Sequence, residues 1–343
     1  MADKDWKIFT GDRKEPYDNW QLPPSPSWRP FGEGIKPGEN RRKQRGKTFQ
    51  VRPEEIDMVN AALYLRRPLL VTGKPGTGKS SLIYKVAYEL MLGEVLYWPI
   101  TTRTTLKDGL YNYDAIARLQ EIKQLEKTSD SELRAIENYI TLGPLGTALL
   151  PSKKPRALLI DEIDKSDIDL PNDLLTIFEE GRFEIPELVR IKEKVSEVTV
   201  RTAYIDTTEK TTGDDLYATF SNGRVTCTTF PLVILTSNGE RDFPPPFLRR
   251  CLSLTMKEPS KEDLVKIIKA HFGQEIQRKD LETLSSKSLD ELVDNFIGRR
   301  GEETLATDQL LNALYMVKKG SIATKEDLIK KLLNDLGQVA EDE

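Results

Sequence analysis

The sequence predicts an α/β fold: a five-stranded parallel sheet interleaved with helices, carrying a β-hairpin insertion and followed by an all-α domain. Three observations lead there. Five short apolar runs recur between helical segments from about residue 48 to 256. A glycine-rich loop joins the first run to an amphipathic segment. Beyond Pro259 the apolar spacing is wholly helical. The length of 343 residues, at ~150 per domain, suits two domains or one domain and a lid. The boundaries read as an arm over 1–47, an α/β domain over 48–256 and a helical lid over 257–343.

The arm differs in composition from everything after it. Pro16, Pro23, Pro24, Pro26, Pro30 and Pro37 punctuate it, with Trp6, Trp20 and Trp28 between them. A regular helix or central strand is excluded. Three tryptophans are too many for a plain disordered tail, so an extended segment packed on a surface is expected, on this subunit or a neighbour. The cluster Arg41, Arg42, Lys43, Arg45 and Lys47 reads as a solvated linker in preference to a phosphate contact.

The predicted strands cover 68–72, 95–100, 157–161, 231–236 and 251–256. Between the second and third lies a polar helical stretch, about 114–140, and then Gly143-Pro144-Leu145-Gly146. Between the third and fourth, Pro171 to Glu180 reads as a helix with Leu174, Leu175 and Phe178 on one face, stopped by Gly181. An insertion follows over 186–230. Its 195–204 portion alternates in β fashion, and Ser221-Asn222-Gly223-Arg224 reads as a hairpin turn. In the lid, Ser260-Lys261-Glu262-Asp263 and Thr324-Lys325-Glu326-Asp327 each set a hydroxyl and acids ahead of an apolar-periodic run, as helix caps do. The second also fits a T-K-x-D pattern by which some GTPases read guanine. It lies in the wrong domain with no strand before it, and reads as a cap.

The loop Gly73-Lys74-Pro75-Gly76-Thr77-Gly78-Lys79-Ser80 fits G-x-x-x-x-G-K-[ST], with a strand before it and a helix after it. Its glycines let successive N–H groups and the helix N-terminus face phosphate oxygens. Lys79 would reach the β and γ phosphates, and the Ser80 hydroxyl would ligate Mg²⁺. Ser81 is counted with the loop as a phosphate-binding residue. A nucleoside triphosphate is the expected ligand. At the end of the third run, Asp161 would hold Mg²⁺ through water and Glu162 would orient and deprotonate the attacking water. At the end of the fourth, Asn238 is placed to bond the γ-phosphate or that water. Arg249 and Arg250, just before the fifth run, suit a guanidinium donated to the γ-phosphate of an adjacent subunit; a surface salt bridge is the alternative.

Together these residues resemble the AAA+ ATPases, and specifically their MoxR-like branch, over about residues 50–320. Lys79 and Ser80 match Walker A, Asp161 and Glu162 Walker B, Asn238 sensor 1, and Leu248-Arg249-Arg250 the arginine-finger region. Leu142-Gly143-Pro144-Leu145 and Asp161-Glu162-Ile163-Asp164-Lys165-Ser166 are similar to MoxR-type text. The resemblance implies a sheet of order 5-1-4-3-2, a helical lid, and hydrolysis of ATP with Mg²⁺ at the interfaces of a ring, usually a hexamer. It implies insertions that meet a protein client, and partners with von Willebrand A domains. Arg250 is preferred as the finger because it abuts the strand. The pattern departs at the lid: where relatives carry a sensor 2 arginine, this chain reads Leu305-Ala306-Thr307-Asp308, with Arg299 and Arg300 upstream.

Other features bound the function. Formal net charge is −4, so no basic field favours nucleic acid. Cys227 and Cys251 are neither paired by spacing nor joined by histidines, which fits a reduced compartment and no zinc site. With no apolar run near ~18 residues, a cytoplasmic protein without a membrane contact is expected. His271, the only histidine, reads as packed or capping, and Tyr111 and Tyr113 as core residues. Three functions compete: a remodelling motor acting on a protein client, a slowly turning nucleotide-gated switch or scaffold in a sensing or defence system, and, last, a nucleic-acid translocase.

Overall fold

A computed structural model describes residues 41–125, 136–204, 213–272, 289–300 and 305–318, together with Ile8, Gln21, Pro23, Ser25, Pro26, Trp28, Arg29 and Leu333. The expectations for Trp6, Trp20 and the 324–327 cap lie outside these residues. In chain order the elements are α1 (Arg41–Thr48), α2 (Pro53–Leu65), β1 (Leu69–Thr72), α3 (Lys79–Glu89), β2 (Leu96–Pro99), α4 (Leu106–Leu110), β3 (Tyr111–Tyr113), α5 (Ala115–Leu125), β4 (Ile140–Leu142), α6 (Pro144–Ala148) and β5 (Ala157–Asp161). They continue with α7 (Asp169–Glu180), β6 (Arg182–Glu184), α8 (Pro186–Val189), β7 (Glu197–Arg201), α9 (Gly213–Leu216), β8 (Tyr217–Ser221), β9 (Arg224–Thr226), β10 (Leu232–Ser237), α10 (Pro245–Arg250) and β11 (Leu252–Thr255). Last come α11 (Lys261–Phe272), α12 (Leu289–Arg300) and α13 (Thr307–Lys318). Among the described residues no helix is long and apolar enough to cross a membrane.

Two compact units divide the chain: residues 51–73 with 79–256, and residues 1–50 with 74–78 and 257–343. The first is built on a five-stranded sheet of order β11-β1-β10-β5-β2, every neighbour parallel. Its central strands are apolar runs that turn polar only at their carboxyl ends, LLVT, ALLID and LVILTS, the pattern of a parallel sheet buried on both faces. All six residues of β10 are buried, as are the first four of β5. Helix α3 turns Leu82, Ile83, Val86 and Ala87 inward, and α7 turns Leu170, Leu174, Ile177 and Phe178 inward.

The polar stretch after β2 is not one helix. Among its described residues, 115–125 form α5 and Ile136–Tyr139 form a short 3-10 turn, which feeds β4. Strands β3, β4, β7 and β8 form a second sheet, and β6 pairs with β9 in a third. The alternation read at 195–204 is β7, whose residues are exposed and buried in turn. The hairpin turn expected at Asn222-Gly223 needs correction. Both residues take positive φ, 58° and 66°, as a tight two-residue turn demands. Yet the strands it joins do not pair with each other: β8 pairs with β7 and β9 with β6, both antiparallel. The long antiparallel partnership of the insertion is therefore β7–β8. Position 146 is also constrained, because a methyl there would lie 2.0 Å from the Leu110 carbonyl oxygen.

The other unit packs α11, α12 and α13 around Leu264, Ile268, Val293, Phe296, Leu310, Leu311 and Leu314. Ser260 and Asp263 exchange side chain and backbone N–H bonds at 3.2 Å, closing the cap expected at the start of α11. The arm was expected to be extended to residue 47, but 41–48 is helical. The prolines stop at Pro37, and Arg, Lys and Gln then favour a helix. Trp28 packs edge-on against His271, Phe272 and Tyr315 at centroid distances of 5.7, 5.3 and 5.8 Å. Its indole N–H donates to Asn312 Oδ1 at 3.0 Å. Burial pushes the His271 pKa down, which favours the neutral ring in this aromatic cluster. Gly146→Ala should lower stability by about 1–3 kcal/mol through overpacking. Gly298→Ala, on an open face of α12 with nothing near the added methyl, should raise it by about 0.5–1 kcal/mol. Urea denaturation of both variants checks the contrast.

Candidate functional site

The sheet places its polar residues by register. Thr72 pairs with Ser237, and Leu235 with Ile160, so β1, β10 and β5 end together and Thr236 stands level with Asp161. The Thr236 hydroxyl donates to Asp161 Oδ1 at 2.6 Å, and the Ser80 hydroxyl donates to the same oxygen at 2.7 Å. From β2, the Tyr97 hydroxyl donates to Asp161 Oδ2 at 3.3 Å. Burial first, and the Asp161 carboxylate second, push the Tyr97 phenol up to about 12, so it remains a donor at neutral pH. One carboxylate thus gathers three hydroxyls from three elements.

Lys79 begins α3 and is 8% exposed. Its ammonium donates to the Gly73 carbonyl at 2.6 Å and to Asn238 Oδ1 at 2.8 Å. Burial pulls its pKa down, and Asp164, Asp161 and Glu162 oppose that pull in that order. Desolvation disfavours the buried charge, and the nearby carboxylates offset part of that cost.

Glu162 occupies the left-handed region at φ 61°, a sparsely populated conformation for a residue with a side chain. Its N–H donates to Thr236 Oγ1 at 2.9 Å, so one hydroxyl both accepts from Glu162 and donates to Asp161. The Glu162 carboxylate accepts from Lys165 Nζ at 2.8 Å, with both side chains more than 40% exposed. That pair is worth about 0–1 kcal/mol and leaves the carboxylate available.

The structure thus brings together Gly73, Lys79, Ser80, Asp161, Glu162 and Asn238. Arg249 and Arg250 bond elsewhere. Arg250 pairs with Glu179 at 2.7 Å, the surface salt bridge that the sequence left open, and the Arg249 carbonyl accepts from Arg67. Ser81 is half-buried on α3, and no bond ties it to the cluster among those described.

Residues Lys74–Gly78 belong to the helical unit. Thr77 Oγ1 donates to the Lys74 carbonyl at 2.9 Å, and Lys74 pairs with Glu258 at 3.4 Å; Pro75 is exposed. Gly76 and Gly78 have φ of 76° and 94°. A methyl on Gly76 would meet the Ala306 Cβ at 2.6 Å, and one on Gly78 would meet the Phe49 ring at 2.6 Å. These positions therefore exclude a side chain both by backbone conformation and by space. Leu305 and Ala306, where the sensor 2 arginine was sought, are buried. Arg300 is 9% exposed, donates to the Pro259 carbonyl and lies over the Phe296 ring.

The donor set suits magnesium with a nucleotide. Among the described residues no group of three or more His, Cys, Asp or Glu side chains is arranged to hold a metal, and one carboxylate with one hydroxyl is what Mg²⁺ takes when phosphates supply the rest. Sequence reasoning missed Thr236, Tyr97 and Asp164. A hydroxyl closing a run as apolar as 232–235 was a usable signal for Thr236. Nothing in the pattern of β2 distinguishes Tyr97. Asp164 was noted only as part of a family phrase.

No curated protein matches the chain closely enough to inform its function. Residues 68–201 match the family model described as an AAA domain of the dynein-related subfamily. That span holds Lys79, Ser80, Asp161 and Glu162 and ends before Asn238 and the two arginines, and it supports an AAA+ ATPase domain with ATP-dependent activity in this part of the chain.

Proposed function

We propose that this chain is an AAA+ ATPase of MoxR-like type, hydrolysing Mg-ATP at the subunit interfaces of a ring to remodel or activate a protein partner. The observation that carries the ATPase reading is the bonded set Lys79–Asn238 and Ser80–Asp161–Thr236–Glu162 at the carboxyl ends of adjacent parallel strands. Open α/β sheets bind their ligands at such ends. In this reading the 73–80 loop cradles the triphosphate and Lys79 moves from Asn238 towards the β and γ phosphates. Ser80, and Asp161 through water, would hold Mg²⁺, which would supply positive charge against the phosphates.

Water attacks the γ-phosphorus, the bond to the β–γ bridging oxygen breaks, and ADP and phosphate leave. Glu162, released from Lys165, orients the water and accepts its proton. Asn238 holds the water or a γ oxygen. Tyr97 and Thr236 fix the Asp161 carboxylate so that it does not rotate off the metal position. Arg250, or Arg249, approaches the γ-phosphate of a neighbouring subunit. Both stand at the end of α10, Arg249 exposed and Arg250 half-buried, paired with the exposed Glu179 and donating to the Pro246 carbonyl at 3.4 Å. The partner class, including a von Willebrand A domain, rests on family resemblance.

Lys79→Ala should abolish ATP binding in a fluorescent-nucleotide titration. Glu162→Gln should keep binding while turnover falls about 100-fold or more, and should stabilise the ring in size-exclusion chromatography. Native turnover in that variant would refute the assignment of the base. Arg250→Ala should be inactive alone yet regain turnover when mixed with Lys79→Ala, because each supplies what the other lacks; no recovery would refute the shared site. Thr236→Val keeps the shape and deletes the hydroxyl. It should raise the Mg²⁺ concentration for half-maximal turnover several-fold, as a magnesium titration would record.

A further inference from the structure

We infer that Asp164 is a positioning residue for hydrolysis: its carboxylate fixes the turn after β10 so that Asn238 faces Lys79. The inference rests on the ATPase reading above. Asp164 Oδ2 accepts the backbone N–H of Asn238 at 2.8 Å and that of Glu240 at 3.2 Å. Those two N–H groups bracket Gly239, at φ 79°. The Gly239 N–H also donates to Ser237 Oγ at 3.0 Å, but Asp164 is the acceptor that holds the Asn238 backbone itself, and Asn238 Oδ1 accepts a hydrogen bond from the Lys79 ammonium at 2.8 Å.

Asp164 itself is fixed from the other side. It lies in the 3-10 turn Ile163–Lys165 that Glu162 starts, and Ser166 closes this turn by donating to the Ile163 carbonyl. The turn is anchored through the Glu162 N–H to Thr236. The turn that follows Glu162 and the turn that carries Asn238 are therefore joined through Asp164.

Stability alone does not explain an aspartate here. The residue is 5% exposed, and Oδ1 is buried with no hydrogen-bond partner among the described residues. A buried carboxylate oxygen left in this way weakens the fold. What the carboxylate gives in return is stronger acceptance of the two N–H groups than a neutral amide offers. Of the carboxylates acting on the Lys79 ammonium, Asp164 also acts most strongly.

The test compares the full-length wild type with Asp164→Asn, Asp164→Ala, Asp164→Glu, Asn238→Ala and the Asp164→Ala/Asn238→Ala double variant. Steady-state Mg-ATP turnover, binding of a fluorescent ATP analogue and thermal midpoints are measured for each. Asp164→Ala should lose roughly 10- to 100-fold in kcat, the scale of a small misplacement of a reacting group, with analogue affinity changed less than about threefold. Asp164→Asn, which keeps an acceptor but no charge, should fall between wild type and Asp164→Ala. The double variant should be no slower than Asn238→Ala, because Asp164 acts through Asn238. Multiplying losses, an Asp164→Ala kcat within about twofold of wild type, or Asp164→Asn as slow as Asp164→Ala would each overturn the inference. If Asp164→Ala does not fold, Asp164→Glu takes its place: it keeps the charge but not the geometry, so it should be slower than Asp164→Asn, and the reverse order overturns the inference. A wild type that does not hydrolyse ATP at all would instead remove the ATPase reading.

Discussion

One oxygen atom organises the site. Asp161 Oδ1 accepts the hydroxyls of Ser80 and Thr236 at 2.7 and 2.6 Å, and these come from the start of α3 and the end of β10. Such bonds to an ionised acceptor are short and strong. They are possible only because β1, β5 and β10 end at one level, which in turn follows from parallel pairing in fixed register. A one-residue slip of β10 would turn Thr236 to the other face and leave its place beside Asp161 to an apolar or differently directed side chain.

Charge is arranged around that oxygen with the same economy. Burial pulls the Lys79 pKa down, and Asp164, Asp161 and Glu162 oppose that pull. The same three acids repel one another, and each is relieved differently. Asp161 collects hydroxyls, Asp164 collects backbone N–H groups, and Glu162 reaches solvent and Lys165. Three carboxylates within four residues thus avoid sharing one environment. In the mechanism proposed above, this separation would let Asp161 hold a metal, Asp164 hold the chain and Glu162 take a proton.

Much of this was legible in the residues. The loop 73–80 has a spacing with few other uses, and 69–71, 157–160 and 232–235 are apolar enough to mark buried strands without a structure. Asp161 and Asn238 were legible because a polar residue closing such a run must face the crevice. The partners of those residues were harder to see. Thr236 and Tyr97 act through distances set by neighbouring strands, which no local pattern encodes. The Asn222-Gly223 turn was read correctly as a turn and wrongly as a hairpin, because local chemistry fixes the bend but not the partner of each flanking strand. Helix α1 was missed because the prolines before Pro37 coloured the reading of the basic residues after them.

That bend has a mechanical consequence. Asn222 and Gly223 tie the end of β8, laddered to β7, directly to β9, laddered to β6, and β6 is separated from α7 only by Gly181. A link of two residues stores almost no slack. With only Gly181 between α7 and β6, and only two residues between β8 and β9, no loop lies between α7 and the β7–β8 ladder that could absorb a displacement.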